Sequence, residues 1–296
     1  MTTVENTNIH FEFNSQIEAK AFAKSGDVVQ FKCQDCYCEQ ITQNGQLFST
    51  LNMDNNNPVT GPLYIEEARP GDVLRIEIKE IDIQDQGSMC VRSGTGIYEI
   101  QGSHCRRFKI EDGMIAFDHD IKVPIKPMIG VIGTAPKEDV RSTALPGEHG
   151  GNLDIKDLGM GSIVYLPVEV SGGLLSMGDI HAVQGDGETV ICALEMSGKI
   201  TVKIDVMKNR TDIPTPFVIS KEKYLTTAAS PSLDEASVLA ARKMHMFLQD
   251  HSSLTDAQSG MLLSLAGNLR ISQVVNPHKG CIMEFPVGLA KETFEK

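Results

Sequence analysis

Ser162-Ile163-Val164-Tyr165-Leu166-Pro167-Val168-Glu169-Val170 is rich in β-branched and apolar residues and runs into Ser171-Gly172-Gly173, so it reads as a strand ending in a turn. Two polar loops flank it. Upstream stands Pro146-Gly147-Glu148-His149-Gly150-Gly151-Asn152-Leu153-Asp154, and downstream Gly178-Asp179-Ile180-His181-Ala182-Val183-Gln184-Gly185-Asp186-Gly187-Glu188. Each mixes imidazole, carboxylate and amide with glycines that let backbone approach closely. In an extended segment Asp179 and His181 share a face, as do Asp186 and Glu188, so each pair could point into one cavity. The same residues also suit ordinary turns and hydrogen-bonded histidines, and spacing alone leaves both readings open.

Outward from this stretch the pattern stays that of sheet. Leu74-Arg75-Ile76-Glu77-Ile78-Lys79 alternates cleanly, with Leu74, Ile76 and Ile78 toward a core. Further strands are expected at 9–13, 28–32, 107–110, 114–117 and 128–132. The segment 84–102 reads as a long loop. Thr189–Glu195 and Lys199–Val206 are expected to form a hairpin around Ser197-Gly198. After Pro231 the period changes. Ser232 and Glu235 make a capping-box pattern before a helix from about Leu233 to Gln249, and a second helix runs from near Thr255 to Gly267. The expected fold is therefore mainly β, a sandwich or barrel-like body over 1–228, with a smaller C-terminal α+β unit over 229–296.

Composition narrows the function. Across 296 residues the net charge is -12 and the pI about 5.1, with no basic stripe, which argues against a nucleic-acid partner and favours a small neutral substrate. No apolar run approaches the roughly 20 residues that cross a bilayer, and the first residues lack the basic and apolar regions of a signal peptide. The expectation is a cytoplasmic protein with no membrane partner; whether it forms a homo-oligomer is left open. Seven cysteines, of which Cys33, Cys36 and Cys38 crowd together, make neither a disulfide framework nor a paired zinc motif, and read as reduced thiols.

Several short runs together resemble the acetamidase/formamidase family. Gly172-Gly173-Leu174-Leu175-Ser176 and the Gly178–Glu188 loop resemble its G-x-L-x-S strand and G-D-x-H-A-x-Q-G-D-G-E run, and His149-Gly150-Gly151-Asn152-Leu153-Asp154 its H-G-G-N-x-D element. Thr60-Gly61-Pro62, Ala68-Arg69-Pro70-Gly71-Asp72-Val73-Leu74 and the segment from Ala266 to Val275 are similar to further elements at both ends. The resemblance implies hydrolysis of a short-chain amide, such as formamide or acetamide, to carboxylate and ammonia.

The leading expectation is metal-assisted hydrolysis, because an amide carbonyl is a poor electrophile that a divalent ion can polarise. His149, Asp154, Asp179 and His181 form the expected ligand pool, with Asp35 as a distant contributor. Zinc is the first choice for mixed imidazole and carboxylate ligands, and calcium the alternative if oxygen dominates. Glu188 is the expected general base, Asp179 is counted as catalytic as well as a ligand, and Asn152 or Gln184 would hold the amide. Two rivals are a thiol-dependent amidase using Cys36 or Cys105, and a non-catalytic β protein whose acidic loops hold metal.

Overall fold

The computed structural model describes residues 1–289. Among these, two large sheets dominate. The first runs Thr2–Val4, Val28–Cys33, Gly198–Met207, Val73–Ile83, Ile163–Pro167, Phe217–Ser220, Lys223–Ser230, Lys279–Pro286 and Asn268–Gln273, each strand hydrogen-bonded to the next. Alternation dictates its inner face. Leu74, Ile76 and Ile78 are fully buried, and so are Ile200, Val202 and Ile204 on the neighbouring strand.

The second sheet is built around Leu175–His181, every residue of which is buried. Met128–Gly133 lies along one side of that strand, with Val59–Ile65 and Glu195–Met196 on the other. Side chains from both sheets, including Phe31, Ile76 and Ile204 from one and Ile129, Leu175 and Ile180 from the other, form a single core. Such interdigitated inner faces make a β-sandwich. The C-terminal helices Leu233–Asp250 and Asp256–Ala266 stand where the capping patterns place them, with Ser232 accepting from the Glu235 amide and Thr255 and Gln258 capping reciprocally. The first buries Ala240, Met244 and Phe247 against Phe217, Tyr224 and Phe285, forming a second core. The mainly β body with its small C-terminal α+β addition is thus observed.

Two expectations need correction. Glu195–Met196 and Gly198–Met207 form no hairpin, since they belong to different sheets and the chain crosses between them at Ser197. Close approach explains it: a Cβ at Gly198 would press on the Asp82 carbonyl, and Ser197 is tied to Glu39 through its hydroxyl. Second, the expected long loop after Gln84 contains the strand Gln86–Arg92, paired along its length with Ser103–Glu111. Its Gly and Ser content hid the alternation.

Candidate active site

The edge of the central strand sets the site. His181 lies opposite Glu195 across one ladder. Asp179 falls at a skipped position of the other, where Ile180 pairs Ile129 and Gly178 pairs Val131. Gly130 fills that gap, and its missing side chain matters: a Cβ there would meet Asp179 Oδ2 and Asp154 Oδ1. Both carboxylates therefore fold over a glycine. Asp154, Asp179 and Glu188 all hold left-handed backbone, with φ of 48°, 55° and 46°. Such conformations cost energy outside glycine and gather where a site demands a particular side-chain direction.

Four acids surround one imidazole. His181 Nε2 lies 3.3 Å from Asp179 Oδ1 and 3.2 Å from Glu195 Oε2. Its Nδ1 faces Gln184 Oε1 at 2.8 Å, and the Gln184 amide nitrogen donates to the Asp154 carbonyl at 2.9 Å. That second bond orients the glutamine so that its oxygen receives the Nδ1 proton, which leaves Nε2 aimed at the carboxylates. Asp154 Oδ2 accepts from the Asn276 amide at 3.3 Å. Donor atoms of Asp154, His181 and Glu188 lie within 4.8 Å of one another, and so do those of Cys36, Asp179 and Glu195.

The cluster is almost dry, and its protonation follows from that. Burial, helped by the Asp179 carboxylate, pushes Asp154 up to about 8. Burial raises Glu195 to about 7, with His181 opposing the shift. Glu188 is raised well above the usual carboxylate range by burial and then by Asp154. Burial alone would lower His181, but Glu195 and Asp179 outweigh it and hold the ring protonated well above 6.5. Burial, with Glu195 and Asp179, keeps the Cys36 thiol protonated.

A cavity of about 210 Å³ opens onto this group, with Asn152, Asp179, Glu188, Glu195 and Asn276 on its polar side and Tyr37, Phe48 and Ile191 on its apolar side. Asn57 Oδ1, Asn152 Oδ1 and Asp154 Oδ1 are buried without a hydrogen-bond partner, and Glu195 Oε2 has only His181 Nε2, at 3.2 Å. Unpaired buried acceptors are costly, so Asn57 and Asn152 on the cavity wall, with Asp154 behind it, mark a place prepared for donors or a cation.

The structure brings Asp154, Asp179, His181 and Glu188 together, with Asn152 on the cavity wall and Gln184 beneath the imidazole. His149 does not join them. It packs edge-on against Phe13, 5.0 Å between ring centroids, at the end of the Pro146–Asn152 hairpin, where burial and then Arg141 lower its pKa to about 4. Asp35 is buried behind Cys36, its Oδ1 accepting from the Tyr37 and Glu39 amides, so it shapes that loop rather than lining the cavity. Asp186 pairs with Arg270, 3.1 Å, and does not line the cavity beside Asp179 and Glu195; it does share a neighbouring, mostly apolar cavity with Glu188, as alternation suggested. Glu195, Cys36, Asn57 and Asn276 complete the site. Of these, Glu195 could have been noticed as one charge inside an apolar run.

Comparisons with known proteins agree along the whole fold. The Acetamidase/Formamidase family model matches residues 1–145 and 138–287. A formamidase of Methylophilus methylotrophus is 27% identical over 69% of this chain and 65% of its own, and an acetamidase of Mycolicibacterium smegmatis 27% over 67% and 66%. The chain thus spans about two thirds of the length of the curated relatives it matches. The crystal structure of an acetamidase from Bacillus halodurans superposes with a TM-score of 0.96 at 40% identity, covering 98% of each chain.

Proposed function

Because the chain belongs to the acetamidase/formamidase family, we propose that the cavity beside Glu188 hydrolyses short-chain amides to a carboxylate and ammonia. The observation that carries this reading is the buried group of Asp154, Asp179, Glu188 and Glu195 around His181, open to a cavity with unpaired acceptors. Such acceptors suit the N–H donors of a primary amide. Asn152 Oδ1 and Asn57 Oδ1 would hold its nitrogen, while Glu188 takes the proton from an attacking water and returns it to the departing nitrogen. Burial, and then Asp154, raise the Glu188 pKa, which makes its carboxylate a stronger base toward water than an exposed one.

A divalent cation fits the same residues. His181 Nε2 between two carboxylates, and the unpaired Asp154 Oδ1 packed over Gly130, form a site with excess negative charge. Asp154 and His181 would hold the ion, with Asp179 and Glu195 beside them, which leaves Glu188 to act as the base. Imidazole among carboxylates suits zinc, since calcium would leave the nitrogen idle. A bound ion would contribute Lewis acidity toward the amide carbonyl.

A thiol mechanism is disfavoured by the same electrostatics. Burial, then Glu195 and Asp179, hold Cys36 protonated, and Cys105 faces Cys90 at 2.6 Å between sulfurs rather than a base. Free thiols fit a reducing compartment such as the cytoplasm. Ammonia release from formamide and acetamide tests the proposal directly. Activity that falls on dialysis against a chelator and returns with zinc would support the full reading. A metal-raised melting temperature without turnover would instead favour a metal-binding protein that is not an enzyme.

A further inference from the structure

The cavity is built in two halves of opposite character. Its depth offers acceptors: the unpaired amide oxygens of Asn57 and Asn152, beside the Glu195 carboxylate. Its wall carries a cation, Arg92, the one Lys, Arg or His side chain among the described residues that line it. Arg92 stands at the last position of the strand Gln86–Arg92, with its guanidinium carbon 4.3 Å from the centroid of the Phe48 ring. No carboxylate of the described residues pairs with it. Arg92 is exposed at the mouth, while Asn57, Asn152 and Glu195 of the same lining are buried, so charge and depth change together along the cavity.

A guanidinium held over an aromatic face still has N–H groups to donate, and these match a carboxylate in pairs. Tyr37, Phe48, Ala144 and Ile191 also line the cavity, and their rings and methyl groups suit a short hydrocarbon spacer. The volume of about 210 Å³ also exceeds what the few heavy atoms of formamide occupy. Its acidic depth would repel an anion, so only a substrate that holds its charge away from the amide fits.

We propose that the preferred substrates are monoamides of short dicarboxylic acids, with the amide nitrogen among the deep acceptors and the distal carboxylate on Arg92. The inference rests on the amide-hydrolase reading of the same cavity and adds to it the substrate class and the residue that selects it. The reaction is ordinary hydrolysis: water adds to the carbonyl, the C–N bond breaks, and the products are a dicarboxylate and ammonia.

Succinamate and succinamide provide the test, since they share a shape and differ in one terminal charge. Initial ammonia release is measured for both with the wild-type protein and with Arg92→Ala and Arg92→Lys, correcting for the two cleavable ends of succinamide. Calorimetric titration of each compound into the same proteins gives a readout that does not need turnover. The wild type should favour succinamate through KM. Arg92→Ala should lower that preference roughly three- to tenfold, the range expected of a solvent-screened charge-assisted pair, and Arg92→Lys should restore part of it. Added salt should weaken the preference in the wild type and not in Arg92→Ala. Turnover of both compounds without selectivity, or a selectivity that Arg92→Ala leaves unmoved, would overturn the inference and leave the amidase reading standing. Arg92-dependent binding of succinamate without hydrolysis of any amide would uphold the recognition and sink the amidase reading.

Discussion

At the scale of single residues, Glu188 is the carboxylate best placed to move a proton, since it lines the cavity and shares its charge with Asp154. Exchange to Gln keeps the shape and removes the proton acceptor. Glu188→Gln should therefore lower kcat by about 10²–10⁴ with little change in KM, measured by ammonia release. An unchanged kcat would remove it from the chemistry. Gly130 gives a second prediction. Its φ is unexceptional, but a Cβ would push on Asp179 Oδ2 and Asp154 Oδ1. Gly130→Ala should abolish most activity while lowering stability by only about 1–3 kcal/mol, as overpacking does; a fully active variant would show that the carboxylates are not held where described. At this scale the sequence was partly legible. Asp179 and His181 sharing a face followed from strand alternation, and they do meet, 3.3 Å apart. His149 carried the same chemistry on paper, yet nothing in its own loop records that Phe13, from the far amino terminus, claims its ring.

At the scale of elements, the loop bearing Glu188 is fastened from outside by one strand. Arg270, on Asn268–Gln273, reaches Asp186 and Asp157, 3.1 Å and 2.9 Å away, and Glu284 at 2.7 Å, while the Gly187 amide donates to the Ser272 carbonyl. Three carboxylates lose their common partner in Arg270→Met. That change should cost about 1–3 kcal/mol by denaturant unfolding and reduce turnover more than a distant surface change of equal cost; stability lost with turnover intact would show that the strand only supports the fold. Helices and isolated strands were readable because caps and alternation are local. The crossing at Ser197 was not, since partner choice between two sheets depends on residues such as Asp82 and Glu39 that lie far away in sequence. Glu195 was missed for the same reason, as its importance comes from register with His181.

At the scale of the whole molecule, a dry cluster of acids makes stability depend on pH. The folded pKa values of Asp154, about 8, and Glu195, about 7, stand above their unfolded values near 4. Between those limits the native state binds more protons than the unfolded one, so this part of the stability is present at low pH and lost as pH rises toward 8. The raised pKa of His181 acts in the same direction. His149, lowered to about 4, opposes it, its contribution being lost as pH falls below about 6.5. A cation that binds the deprotonated carboxylates offsets the loss, so the rise in melting temperature caused by added zinc should be larger at pH 8 than at pH 5.5. A zinc effect equal at both values would separate the metal from this cluster. The mainly β architecture was legible at this scale because two-residue alternation and apolar runs recur along most of the chain.

The most direct measurement is initial ammonia release from acetamide by the purified wild-type protein and by Glu188→Gln, at equal concentration and with both shown to be folded by circular dichroism. The account predicts release that is proportional to wild-type protein and lower by at least about 10² in the variant. Equal rates in the two proteins, or no release from either with zinc supplied, would contradict it.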